Sequence, residues 1–153
     1  MTEIRYLIDI SAPIARVWEI LSDFPAYPSW NPFIRSISGT QTAGSRLKVR
    51  IQPQGGRPMT LAPMLLDFSP QKEFRWKGQL LVPGVFDGEH YFQLSERAEG
   101  GTCLTHGEVF SGFLVPLVFR GALRSGTELG FQAMNQALKD RAEELKRPDP
   151  PTT

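Results

Sequence analysis

His90, His106 and Glu108 are the residues of this chain whose types and spacing could do chemistry, and they stand in two alternating segments joined by a Glu99-Gly100-Gly101 turn. In the first segment Phe86, Gly88, His90, Phe92 and Leu94 share one parity, opposite Asp87, Glu89 and Gln93. In the second, Leu104, His106, Glu108, Phe110 and Gly112 share one parity, opposite Cys103, Thr105, Gly107 and Val109. A period of two reads as half-buried strand. Pairing the segments as a hairpin with their apolar faces matched sets His90 opposite or diagonal to Glu108, with His106 one pleat away. An imidazole and a carboxyl in contact suit general acid–base catalysis, His90 or His106 removing a proton while Glu108 orients or recharges the ring. The same groups could instead orient an organic ligand in an apolar cup, or serve as hydrogen-bonded structural residues. Two imidazoles and a carboxylate could also ligate a metal, but no metal site is expected and no cofactor is called for. A buried carboxylate without a partner is costly, so Glu108 should be paired with a histidine, a basic side chain or water. A β-bulge near Gly88 or Gly107 would turn one histidine to the solvent face.

The elements that must position these groups are legible along the chain. Ile4, Tyr6, Ile8 and Ile10 alternate with Glu3, Arg5 and Asp9 and predict a first strand. Ser11 can cap and Pro13 can open a helix that carries Val17, Trp18, Ile20 and Leu21. That helix must stop near Asp23, because Pro25 disfavours the α region for Phe24. Turn signals then cut the middle of the chain into Ile34 to Ser38, Arg46 to Pro53, Pro58 to Phe68, Glu73 to Leu81, Phe86 to Arg97 and Thr102 to Phe113. With the first strand these make a seven-stranded, strongly curved antiparallel sheet. A helix is expected from Pro116 or Leu117 to Arg147, with Ala122, Leu123, Gly126, Gly130, Ala133, Met134, Ala137, Leu138 and Leu145 as its apolar stripe. The tail 148–153, rich in proline, should be frayed and disordered.

The Ile10-Ser11-Ala12-Pro13 junction, Val17-Trp18 followed by Asp23-Phe24 and Trp30-Asn31-Pro32, and the long C-terminal helix together resemble the SRPBCC superfamily, the START-like helix-grip proteins that include a polyketide cyclase/dehydrase-like group. The resemblance covers nearly the whole chain and implies an α+β helix-grip fold: a curved sheet around one long helix, two short helices after the first strand, and a single domain over 1–147. It implies a cavity between sheet and helix, with the segment near Trp30 at its mouth and loops near the long helix as its gate. None of these motifs is a catalytic signature, so the likeness speaks to fold more than to chemistry.

Aromatic and small residues would line such a cavity. Trp76 shares parity with Phe74 and Gly78, opposite Arg75 and Lys77, and reads as inward. With Trp30, Phe33, Phe86, Phe92 and Phe110 it favours an aromatic or lipid-like ligand over a sugar or nucleotide. On the helix, Leu123, Gly130 and Met134 complete the expected lining. Gly126 and Gly130 each weaken a helix by about 1 kcal/mol relative to alanine, so they mark either close helix–sheet approach or volume left for a ligand. The apolar segments Leu80 to Phe86 and Phe113 to Phe119 read as portal lips, with contact in a homodimer as the competing account.

Composition narrows the classes. A chain of 153 residues with 17 basic and 16 acidic side chains fits one near-neutral domain, and without a Lys/Arg cluster nucleic acid is not an expected partner. The single Cys103 excludes an internal disulfide and a multi-cysteine zinc site. No apolar run is long enough to span a bilayer, and the cytoplasm is the default location. Glycine-rich nucleotide loops, Gly-x-Ser-x-Gly elbows and His-Glu-x-x-His pairs are missing from the sequence. The leading expectation is a module that binds a small hydrophobic molecule in an internal cavity; the alternative is a polyketide cyclase, aromatase or dehydratase using the His/Glu cluster. Coenzyme Q-binding and chaperone-activating members of the superfamily keep an interaction role open.

Overall fold

In chain order the elements are β1 (Thr2–Ile10), α1 (Ile14–Ser22), a 3₁₀ turn (Phe24–Ala26), α2 (Tyr27–Trp30), β2 (Ile34–Ser38), β3 (Lys48–Ile51), β4 (Met59–Leu61), β5 (Met64–Ser69), β6 (Glu73–Leu80), β7 (Phe86–Glu96), β8 (Thr102–Ser111), α3 (Val115–Val118) and α4 (Gly121–Glu144). This computed structural model describes residues 1–80 and 82–144. Leu81, the expected helix end at 145–147 and the tail 148–153 lie outside the described residues.

Five strands form an antiparallel sheet in the order β1-β8-β7-β6-β5, and β2-β3-β4 form a second, smaller sheet. Alternation alone led to seven strands; there are eight among the described residues, because the expected Pro58–Phe68 strand divides at Ala62-Pro63. Proline has no N–H for a ladder, and the chain changes sheets there. The Pro63 carbonyl accepts from Leu47 N–H at 2.8 Å, the Ser45 carbonyl accepts from Leu65 N–H at 2.8 Å, and Arg46 bridges to Met64. The two sheets thereby join into one curved wall, which grips α4 against β1, β8 and α1.

Packing explains the local choices. Val17, Trp18, Ile20 and Leu21 of α1 are buried, as their spacing requires. Pro13 rather than Ser11 occupies the N-cap position, and no side chain caps the helix; Ser11 N–H instead donates to Glu143 Oε1 on α4 at 2.8 Å. After α2, the buried Asn31 Oδ1 accepts from Phe33 N–H at 2.9 Å and Ile34 N–H at 2.8 Å. That turn sends the Phe33 ring toward α4, where it meets Phe131 edge-on at 5.2 Å.

The long helix starts later than Pro116. Pro116 sits in the first turn of α3, and the chain then breaks before Gly121, whose φ of +55° lies in the left-handed region that glycine tolerates. The break lets Phe119 turn inward and stack on Phe110 at 3.9 Å. From Gly121, the helix buries Gly126, Thr127, Gly130, Phe131, Met134, Asn135, Leu138 and Ala142. Ala122, expected on the buried stripe, is exposed.

Candidate functional site: a histidine pair behind an apolar pocket

The β7–β8 register sets His90 opposite Glu108 and Phe92 opposite His106. No bulge interrupts this ladder, so both imidazoles face inward. His90 Nδ1 lies 3.3 Å from Glu108 Oε2, His90 Nε2 lies 2.7 Å from His106 Nε2, and His106 Nδ1 lies 2.7 Å from Asn135 Oδ1 on α4. Four side chains from three elements thus form one unbranched line of hydrogen bonds.

Rings enclose that line. His106 is fully buried between Phe131, stacked at 4.0 Å and 4°, and Phe92, at 4.4 Å. Trp76 stacks on His90 at 4.8 Å, as expected from their cross-strand pairing. Withdrawal from water disfavours charge. Burial holds His90 down at about 3, and burial first, then the neighbouring His90, keep His106 well below the ordinary imidazole value. Burial also pushes the Glu108 carboxyl up to about 8.

Glu108 is the member of the line that reaches open space, its side chain 16 % exposed. Its Oε1 lies over Gly88, where a β-carbon would come within 2.5 Å of it; the missing side chain makes room for the carboxyl. Beyond it lies an apolar pocket of about 90 Å³ that opens to solvent. At roughly 10–15 Å³ per water centre, that is room for about six to nine waters.

Of the expected lining, Phe33, Trp76, Phe86, Glu108, Phe110 and Leu123 border the pocket. The other residues lie elsewhere. His90 and His106 sit behind the wall, and Phe92 and Met134 are fully buried in the core. Trp30 packs on Tyr27 at 5.2 Å and borders a separate polar depression with Arg16, Asp23 and Arg141, because α2 turns it away from the sheet–helix space. Gly130 is filled by Phe33, whose ring a β-carbon there would strike; at Gly126 a β-carbon would stand 2.7 Å from the Gln54 carbonyl oxygen. Both glycines therefore serve close approach, and neither borders this pocket; Gly130 instead borders an outer depression with Arg35, Gln54 and Ala133.

Sequence reading missed the far wall and the end of the line. Ile51, Met59 and Leu61 of the second sheet, Phe119, and Thr127 of α4 also border the pocket. Asn135 holds His106, and a helical spacing signal existed: Thr127, Phe131, Asn135 and Leu138 continue the Gly126/Gly130/Met134 face at intervals of three and four. Cys103, on the outer parity of β8, has its thiol pushed up chiefly by burial and is not disposed as a nucleophile.

A curved antiparallel wall gripping one long helix, with a pocket between them, defines a START-like helix-grip protein. The sequence matches the family described as polyketide cyclase / dehydrase and lipid transport over residues 1–143, and the chain belongs to that family. The fold is shared with the Zhui aromatase/cyclase from Streptomyces sp. R1128 (TM-score 0.74, 18% identity, covering 95% of this chain and 96% of that one). A START superfamily protein from Mycobacterium smegmatis is similar as well (0.70, 18%, 94% and 99%). The di-domain ARO/CYC StfQ from the steffimycin biosynthetic pathway matches at 0.71 and 12% identity over 94% of this chain, which spans about half of StfQ at 51%. At such identities the likeness is one of fold. No curated protein matches the sequence. Among the described residues, no helix is long and apolar enough to cross a membrane.

Proposed function

We propose that this protein binds a small, ring-bearing apolar molecule in the pocket between Trp76, Phe86, Phe110 and Leu123. The observation that carries this reading is the pocket itself, an apolar recess with one half-buried carboxyl at its inner wall. Apolar surface with few polar groups is what small-molecule sites offer, and each roughly 100 Å² of ligand surface buried there contributes about 2.5 kcal/mol. Family membership supports a ligand-binding or cyclase role. Proton abstraction by His90 or His106 is less favoured, because neither ring borders the pocket; cyclase-type chemistry here would have to use Glu108.

Native mass spectrometry of the purified protein, followed by organic extraction of whatever co-purifies, tests the reading. A discrete apolar adduct that is displaced by naphthalene and lost in Leu123→Trp, which fills the pocket, is the expected result. An adduct that survives Leu123→Trp would put the ligand elsewhere.

A further inference from the structure

The line from Glu108 to Asn135 has a direction. Its buried end is Asn135, whose amide oxygen faces His106 Nδ1, and an amide oxygen can only accept. His106 must therefore carry its proton on Nδ1. A neutral imidazole then has a bare Nε2, which accepts from His90 Nε2–H across 2.7 Å. His90, neutral in its turn, has a bare Nδ1. The only neighbour that can satisfy it in this line is Glu108 Oε2, at 3.3 Å, and an oxygen can do so only if it holds a proton. With both rings kept neutral by their burial, each step follows from the one before it, and the line is satisfied throughout with no charged member.

We propose that Glu108 meets the pocket as a neutral carboxylic acid whose hydroxyl is committed to His90, so that its other oxygen accepts a hydrogen bond and selects an uncharged, ring-bearing ligand with an O–H donor, of phenol or enol type, over a carboxylate. The inference rests on the reading of the pocket as a ligand site. Oε1 is the oxygen left for a ligand, because it lies over Gly88, itself a pocket residue. Burial of Glu108 raises its pKa and favours the protonated form. The Thr127 hydroxyl donates its proton to the Leu123 carbonyl at 2.7 Å and so can only accept from a ligand, the same preference as Glu108 Oε1, while Gln79 is exposed at the rim. A ligand carboxylate would meet the Glu108 acceptor oxygen with its own negative charge and surrender its hydration for apolar walls.

Two measurements test this. The chain has only two histidines, so long-range ¹H–¹⁵N correlation spectra of uniformly labelled protein at neutral pH report both tautomers directly, without any ligand. The expected result is a neutral Nε2–H tautomer at His90 and a neutral Nδ1–H tautomer at His106; the reverse pair, or an imidazolium at His90, overturns the direction of the line. The second compares 2-naphthol, 2-methoxynaphthalene, naphthalene and 2-naphthoate by Trp76 fluorescence and calorimetry. 2-Naphthol should bind on the order of tenfold tighter than its methyl ether, the scale of one net hydrogen bond, and 2-naphthoate should be weakest. Glu108→Gln, whose amide can donate to His90 and still present an oxygen, should keep that preference, and Glu108→Leu should abolish it. Equal binding of all four probes would overturn the selection while leaving the pocket reading intact. Failure of naphthalene and 2-naphthol alike to bind would overturn the pocket reading and the selection with it.

Discussion

At the scale of single residues, the two kinds of buried group pull stability in opposite directions with pH. His90 and His106 bind fewer protons in the folded protein than in the unfolded chain below their ordinary value of 6.5. Their contribution is intact above that pH and is lost as pH falls below it, in the case of His90 down to about 3. Glu108 is the reverse: between its ordinary 4.5 and its folded value of about 8 the folded state holds more protons, so its contribution is intact below 4.5 and lost as pH rises toward 8. Urea midpoints of the wild type should therefore decline on both sides of a mildly acidic to neutral maximum. Glu108→Gln cannot ionise and should remove the alkaline decline, exceeding wild type by up to about 5 kcal/mol near pH 8.5. Parallel alkaline limbs in the two proteins would mean that Glu108 is already ionised at neutral pH.

At the scale of elements, the glycines of α4 give the clearest contest between local preference and packing. Helix propensity alone predicts that Gly126→Ala and Gly130→Ala each stabilise by about 1 kcal/mol. The contacts predict the opposite, since a β-carbon would meet the Gln54 carbonyl oxygen at the first site and the Phe33 ring at the second. Overpacking of this kind costs about 1–3 kcal/mol, so both variants should show lowered denaturation midpoints, Gly126→Ala more firmly because backbone cannot swing aside. The same elements show what was legible in the sequence. A period of two told which faces of β7 and β8 point inward, and with the Glu99-Gly100-Gly101 turn it brought His90 to Glu108. Helix rotation is harder to read, because a stripe drawn through small and aliphatic residues omits Thr127, Phe131 and Asn135, which face the same core for hydrogen-bonding and stacking reasons. The second sheet's share of the pocket was also hidden, since Pro63 marks a break in the strand without saying that the chain changes sheets there.

At the scale of the whole molecule, the pocket residues Phe86 and Phe119 adjoin two chain segments that support each other. Gly84 N–H donates to the buried Asp87 carboxylate at 3.1 Å, the Gly84 carbonyl accepts from Phe113 N–H at 3.2 Å, and the Val85 carbonyl accepts from Leu114 N–H at 3.0 Å. Residues 82–85 and the segment leading into α3 are thus one strapped unit, yet Val82, Phe113 and Leu117 on it are mostly exposed. Few buried contacts and many solvent-facing backbone bonds are the signature of a region that opens locally at low free energy. The β7–β8–β1 ladder, in contrast, is continuous and carries the fully buried Phe92, Leu104 and His106. Hydrogen exchange should divide along that line, with amides of 82–85 and 112–119 exchanging well before those of β7, β8 and the middle of α4. Asp87→Ala removes the carboxylate that holds Gly84, and should speed exchange at both segments together while leaving the ladder protected. A pocket entered through this unit would then also release 2-naphthol faster, with the association rate changing less than the dissociation rate. If exchange rises only in 82–85, the two segments are not coupled.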